Sequence, residues 1–591
     1  MLKSGHGLVL AALFGGGLFV DQHKGRIIMT IASHRLSNGR RLMGRIAVAG
    51  VLAAMLVGAT PVAAAPSPAP FSPDYDAYVE QIRRDWSIPG VSIAIVEGDT
   101  ITSRSYGLKQ YDRKAKLTPE SLFGIASVTK SFVSAALAKL AAEGRVSFDD
   151  PVVKHLPAFK VADPWLSRTI TIRDLLAHRT GLASYGDWPE EIAGMSEAQV
   201  VDRLATLDQA VPFRERPYYN SLTYVVAAQI IEKVTGKPWG KYIDEEIWTP
   251  AGMNDSYAHA DDFIPAEHVL PTGDGWSDTI KLGQDAVPAS MDVATPHVQW
   301  EKAIDGSLAF NKQDLTDRLA HFHRTAIDPG QSIFSSVKDM ARWAKLLMNM
   351  GEIDGRQVLP AAAVREMRRA AIIRRSNYPA NWSVAPDDER QGIQPVIYAS
   401  GLMLYSYDGR TLFGHSGDEL GYATLMIVDP ERKIAVVAMI NNFAAKNGAT
   451  EALVGRTLDA LYAKDASDWS GMALARNREQ QQENKDVFSK LLAVQGAETR
   501  PLNAFVGRYD HPFCGTLTVR VEKGKLIAST GPTYDVEFTP LGGGNFKGVV
   551  RGPSAIYFHV GFQGDASGKP GSLTITHPYL HRTIVFERTP G

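Results

Sequence analysis

The sequence predicts an α+β fold followed by a small antiparallel β-barrel. Three observations carry that reading. Apolar runs paired across short turns, 88–96 with 100–106 and 423–428 with 434–440, read as hairpins. Between them lie apolar residues at helical spacing, notably Phe132, Val133, Ala136, Leu137, Leu140 and Ala141, with Gly144 as a stop signal. Beyond Pro501 the pattern is strand-like alternation, as at Leu517, Val519 and Val521.

Residues 1–65 read as a signal or processing segment rather than fold. Arg40, Arg41 and Arg45 precede an apolar run at 46–58, and Pro61-Val62-Ala63-Ala64-Ala65 offers small residues for cleavage. The run is short for a membrane span. An earlier apolar stretch, 8–20, reads as lying before a true start at Met29 or Met43, with a separate anchor as the alternative. The expectation is export to a bacterial periplasm or medium. A Pro/Ser/Ala linker at 66–72 leads into a body at 73–463. Further helices are expected at 223–234 and 340–350, and strands at 403–405 and 411–413. A polar helical linker follows at 464–499, with its helix at 472–494, and the barrel occupies 500–591.

Three short motifs carry the chemistry. In Ser127-Val128-Thr129-Lys130 a helix start puts the lysine one turn from the serine. A helix N-terminus offers free N–H groups and a positive dipole end. These favour an oxyanion at Ser127 and, with burial, lower the lysine pKa so that it can act as a base. A second copy, Ser335-Ser336-Val337-Lys338, reads as a helix N-cap with a solvent lysine. The second motif, Tyr218-Tyr219-Asn220, supplies a phenol for proton relay and an amide that can bind a carbonyl and accept from Lys130. The third, His415-Ser416-Gly417, lies on or beside a strand, where Gly417 lets substrate backbone pair along it. Gly414 to Asp418 also approaches the nucleophile-elbow pattern, but it lacks the last glycine and leads into strand, not helix.

With its three motifs in order, and with Thr171 to Leu182 between the first two, the chain resembles the serine β-lactamase and penicillin-recognising superfamily over roughly residues 73–460. The resemblance is to the class C-like branch of D-alanyl-D-alanine carboxypeptidases, D-aminopeptidases and esterases. It implies a β-lactamase-like fold, with an antiparallel sheet flanked by helices plus an all-helical subdomain, and a lipocalin-like C-terminal barrel. It implies Ser127, Lys130 and Tyr218, rather than Tyr219, as catalytic residues. It also implies Asn220, His415, Gly417 and Asp418 as substrate and oxyanion contacts, with the Asp418 N–H as second donor. The family's β-lactamases carry lysine where this chain has His415, a group mostly neutral at pH 7.

Remaining composition narrows the function. A net charge of −1 over 591 residues gives no general attraction to nucleic acid. Arg214 and Arg216 read as loop charges, with a substrate carboxylate as the alternative partner. His321-Phe322-His323 lacks a third ligand, so no metal or other cofactor is expected. One cysteine, Cys514, excludes an intramolecular disulfide. The expected activity is a serine hydrolase acting through an acyl-enzyme on D-amino-acid-containing peptides, small esters or amides, or β-lactams. Contact with peptidoglycan fits that reading, and a non-catalytic peptidoglycan-fragment or penicillin-binding protein is the alternative of another class. Oligomeric state is not encoded in any motif. Ser127→Ala is expected to abolish hydrolysis while Ser416→Ala keeps partial activity; the reverse result in a steady-state assay would reinstate the elbow.

Overall fold

The computed structural model describes most of residues 68–589. Residues 1–17, 22–25, 30–67, 185–195, 264–291, 300–314, 318–327, 374–393 and shorter stretches lie outside the described residues. In the N-terminal unit, Met1–Ala65, the described residues form two paired antiparallel strands, Leu18–Asp21 and Arg26–Met29. The apolar run at 46–58 and the pair His321 and His323 lie outside the described residues. No described helix is long and apolar enough to cross a membrane.

An eight-stranded antiparallel sheet organises the main body. Its strands are β1 (Gly90–Glu97), β2 (Thr100–Gly107), β3 (Ile372–Ile373), β4 (Gln394–Tyr398), β5 (Met403–Tyr407), β6 (Arg410–Glu419), β7 (Tyr422–Asp429) and β8 (Ile434–Ile440). The order is β3-β4-β5-β6-β7-β8-β1-β2, so β1 pairs with β8, with Ala94 opposite Val437. Strands β7 and β8, with β1 beside them, are largely apolar because both faces are covered. Ala94, Val96, Met426, Val428, Val437 and Met439 face a core shared with α2 (Thr129–Ala142) and with the later helix Val337–Met348. Ile93, Ile95, Leu425, Ile427, Val436 and Ala438 face Tyr75, Val79 and Ile82 of α1 (Pro73–Asp85) and Leu453 of Ala449–Leu461. This division is the two-residue alternation of a strand made visible. Helix α1 starts where Ser72 caps it, the Ser72 hydroxyl accepting from the Tyr75 N–H at 3.3 Å, with Pro73 in the first turn.

Further helices include, in chain order, α3 (Glu197–Arg203), α4 (Leu222–Thr235), α5 (Val337–Met348), α6 (Ala449–Leu461) and α7 (Trp469–Leu491). The end of the body differs from the expected boundary at 463. Trp469 is buried, donates its indole N–H to Asp459 at 2.7 Å, and lies so close to Gly455 that an added Cβ there would meet the ring at 2.6 Å. Trp86 donates to Ser470 at 3.1 Å. The first turn of α7 therefore belongs to the core, and the polar stretch only begins after it.

The C-terminal segment is a closed eight-stranded barrel: β9 (Gly507–His511), β10 (Gly515–Glu522), β11 (Lys525–Ser529), β12 (Asp535–Gly542), β13 (Asn545–Arg551), β14 (Tyr557–Gly564), β15 (Pro570–Thr576) and β16 (Ile584–Arg588). Pairing of β9 with β16 closes it. Its interior is packed. Phe505, at the end of the 3₁₀ turn Leu502–Phe505, meets Phe546 and Phe562 at 4.9 Å between ring centroids, and Tyr509 donates to the Phe505 carbonyl at 2.9 Å. Among the described residues, these side chains fill the interior. The barrel touches the body where Arg203 of α3 donates to the Phe513 carbonyl at 3.0 Å.

Because Trp469 fills the space over Gly455, Trp469→Ala is expected to cost about 3–5 kcal/mol, the range for emptying an aromatic site in a core. Urea unfolding checks this. A fragment ending at 465 should show a similar deficit relative to one ending at 480. Equal midpoints for all three would place Trp469 outside the core.

Candidate active site

The first motif is assembled by a strand, a sharp turn and a helix. Strand Leu122–Gly124 is followed by Ile125, whose N–H is held by the Ile333 carbonyl at 2.9 Å. Ala126 then takes φ +46°, a left-handed conformation costly for a residue with a Cβ. That turn places Ser127 in a one-turn 3₁₀ helix, Ala126–Val128, that runs straight into α2. Lys130 sits in the first turn of α2 and is fully buried. Its Nζ lies 3.1 Å from Ser127 Oγ, 3.2 Å from Ser221 Oγ and 2.8 Å from the Gly330 carbonyl oxygen. The rings of Tyr219 and Tyr224 face the same nitrogen, with centroids at 4.8 and 5.5 Å. The second Ser-x-x-Lys is an N-cap: Ser336 Oγ accepts from the Asp339 N–H at 3.2 Å, and Lys338 pairs with Glu120 at the surface.

The second motif is shifted by one residue from the expectation. The ring beside Lys130 is that of Tyr219, and the side chain bonded to Lys130 is Ser221 rather than Asn220. Asn220 is buried and structural. Its amide donates to the Leu182 and Ala183 carbonyls, both at 3.1 Å, and its Oδ1 accepts from the Leu222 N–H at 2.9 Å. The physical reason is local. Asn220 caps the turn into α4, as amide side chains do, so the next residue, already in a helical conformation, turns its hydroxyl to the lysine. Tyr218 is also buried, with its backbone N–H on the His178 carbonyl at 2.8 Å. Sequence reading missed Ser221, Gly330 and Tyr398. A polar residue at 221, immediately before the apolar face of α4, was the available signal for the first. A backbone carbonyl leaves none.

The third motif lies on β6, paired with β7 so that His415 opposes Met426 and Gly417 opposes Thr424. A Cβ on Gly417 would lie 2.1 Å from the Ile125 carbonyl oxygen and 2.9 Å from the Ser127 nitrogen. The strand passes in contact with the Ser127 backbone, and only glycine allows it. Asp418 follows in the same strand, opposite Ala423. His415 corrects the expectation of a substrate contact, because it is fully buried. Its Nε2 lies 2.8 Å from the Tyr398 hydroxyl, and its Nδ1 faces the Ser416 carbonyl.

Arg214 is not aimed at a substrate. It donates to both oxygens of buried Asp174, at 2.9 and 2.7 Å, and Arg179 donates to the same carboxylate. Burial works to raise the Asp174 pKa. The Arg214 bond, the Thr171 cap and the Arg179 charge outweigh it and hold the carboxyl below the usual range. Its stabilisation is thus present above the unfolded carboxylate value, about 4. It is lost as pH falls through the lower folded value. Arg216 is exposed. Much of 261–300 lies outside the described residues, and no group of three or more metal-ligating side chains gathers among the described ones.

A helix-flanked antiparallel sheet, with a buried lysine against a serine at the head of a core helix, defines a class of hydrolases. A family model described as Beta-lactamase matches residues 75–458, and the chain belongs to that family. An unguisins hydrolase of Aspergillus campestris is 26% identical over 470 residues, covering 76% of this chain and 78% of the relative. Penicillin-binding protein 4 of Amycolatopsis lactamdurans is 25% identical over 376 residues, 63% and 86% of the two chains. Among solved structures, the octameric penicillin-binding protein homologue from Pyrococcus abyssi shares the fold at TM-score 0.50 and 21% identity. That match covers 87% of this chain and 99% of the other. The D-amino acid amidase from Ochrobactrum anthropi SV3 does so at TM-score 0.50 and 21% identity, over 66% and 98%.

Gly417→Ala is expected to lower turnover by about a hundredfold, since an ångström of displacement beside a reacting group costs that much. Activity within about threefold of the parent, in a variant with native circular dichroism, would show that β6 can move without consequence.

Proposed function

We propose that this protein is an exported serine hydrolase that forms an acyl-enzyme on Ser127 and acts on D-amino-acid-containing peptides or small esters and amides. One observation carries the reading: a fully buried Lys130 amine 3.1 Å from the Ser127 hydroxyl. An amine that gives one N–H to the Gly330 carbonyl and another to Ser221 has its lone pair left for the Ser127 proton. Ser127 Oγ attacks the substrate carbonyl carbon as its proton passes to Lys130. The tetrahedral oxyanion takes hydrogen bonds from the Ser127 and Asp418 N–H groups. The C–N or C–O bond then breaks, and the leaving amine or alcohol collects the proton through Tyr219, whose ring lies against the amine. Water attacks the ester by the same route in reverse, releasing the acid and restoring Ser127.

Amide and peptide substrates are favoured by the names of the relatives, an unguisins hydrolase and a D-amino acid amidase. A β-lactam is the second reading, favoured by the penicillin-binding relative. It ranks lower because His415 is buried and bonded to Tyr398, and so supplies no fixed cation for a penicillin carboxylate. Non-catalytic binding of peptidoglycan fragments leaves the Ser127–Lys130 contact without a purpose. Export rests on the character of residues 40–65.

Tyr219→Phe is expected to lower kcat by about a hundredfold to ten-thousandfold, as for loss of a proton-transfer group, while Tyr218→Phe stays within about fivefold, as for a change that keeps the ring and lies outside the proton path. D- and L-phenylalanine amide, a neutral ester and a penicillin, assayed side by side, should rank D-amide or ester first. Faster turnover of the penicillin would replace the amidase reading with the β-lactam one. The reverse pattern in the two tyrosine variants would restore Tyr218 to the catalytic position.

A further inference from the structure

Tyr398, at the end of β4, belongs to none of the three motifs, yet its hydroxyl stands between the two walls of the site. It lies 3.0 Å from His178 Nε2 and 2.8 Å from His415 Nε2. His178 and His415 are fully buried and Tyr398 is nearly so. The far nitrogen of each imidazole is also engaged. His178 Nδ1 accepts the Asn220 backbone N–H at 3.1 Å, and His415 Nδ1 faces the Ser416 carbonyl.

With both rings neutral, these partners assign the proton of each imidazole. A backbone N–H can only donate, so His178 Nδ1 is bare and its proton is on Nε2. That Nε2–H donates to the Tyr398 oxygen. A carbonyl can only accept, so His415 carries its proton on Nδ1, and its bare Nε2 accepts the Tyr398 O–H. The chain therefore runs in one direction: Asn220 N–H to His178, His178 to Tyr398, Tyr398 to His415, His415 to the Ser416 carbonyl. Among the described residues, the rings of Tyr219 and Tyr224 lie against His178. The His178 ring lies 4.2 Å from that of Tyr219 and 5.4 Å from that of Tyr224. The Tyr224 hydroxyl is committed to the Leu176 carbonyl at 2.7 Å and also borders Tyr398.

We propose that Tyr398 is a positioning residue that joins the Tyr219–Ser221 segment to strand β6 through this buried His178–Tyr398–His415 chain. One end pins the backbone at Asn220, between the two residues that touch Lys130. The other end pins β6 two residues before Gly417, where the strand meets the Ser127 backbone. His178 itself takes φ +54°, a strained conformation that the surrounding bonds must hold. A single hydroxyl thus sets the spacing between the lysine's partners and the oxyanion strand. The inference rests on the reading of Ser127 and Lys130 as the reacting pair.

Two measurements on the full chain test it. Nitrogen NMR of the histidine-labelled resting protein should show His178 as the Nε2–H tautomer and His415 as the Nδ1–H tautomer, and Tyr398→Phe should change the His415 signature. In kinetics, Tyr398→Phe should lower kcat about tenfold or more, the scale of a misplaced reacting group, with KM within about twofold. The unfolding midpoint should fall, because the loss of the hydroxyl leaves a buried imidazole N–H and a buried imidazole nitrogen without their partner, while native circular dichroism is kept. Matching tautomers at the two histidines, or an unchanged kcat in Tyr398→Phe, would overturn the proposal. The tautomers are read without substrate. A failure of the hydrolase reading, seen as no turnover and no serine labelling in the parent, is therefore distinguishable from a failure of the chain.

Discussion

The constraint on which the rest of this structure depends is a lysine amine sealed in the interior. A buried amine without partners is costly, so its surroundings must supply hydrogen-bond partners. They come from three places. Ser127 is one helical turn away, Ser221 is 91 residues along the chain, and the Gly330 carbonyl is 200 residues along. The sheet, the helices packed on it and the turn at Asp328–Gly330 exist in this arrangement partly to bring those atoms within hydrogen-bond distance. The aromatic faces of Tyr219 and Tyr224 complete the enclosure.

The second constraint is close approach of backbone to backbone. Ala126 in a left-handed conformation, Gly417 with no room for a Cβ, and His178 at φ +54° mark where the site is tightest. Ala126 and Gly417 flank Ser127, and His178 packs against Tyr219 beside the lysine. Strain of this kind persists only where neighbouring bonds over-determine the geometry. The chain through Tyr398 and the Asp174–Arg214 bonds behind it are such bonds.

What the sequence revealed follows from the range of each interaction. Ser127 and Lys130 are three apart on one helix, so their contact is local and legible. The hairpins of β1 with β2 and of β7 with β8 are legible because their turns are short and both partners are apolar. The choice between Tyr218 and Tyr219 is set by how the chain leaves a loop and enters α4, a rotation that no periodicity records. His415 keeps its place on β6 but loses its expected exposure, because its burial depends on Tyr398 from another strand. The boundary near 463 was drawn where composition turned polar, whereas Trp469 returns to the core just beyond it.

The central claim is that Ser127 is the nucleophile and Lys130 the group that takes its proton. Intact-mass and peptide mapping after treatment with a fluorophosphonate test it most directly. The account predicts one adduct, on Ser127, absent in Ser127→Ala and formed far more slowly in Lys130→Ala, with Lys338→Ala labelling at the parent rate. An adduct on Ser416 or another serine, or equal labelling rates in the two lysine variants, would contradict it.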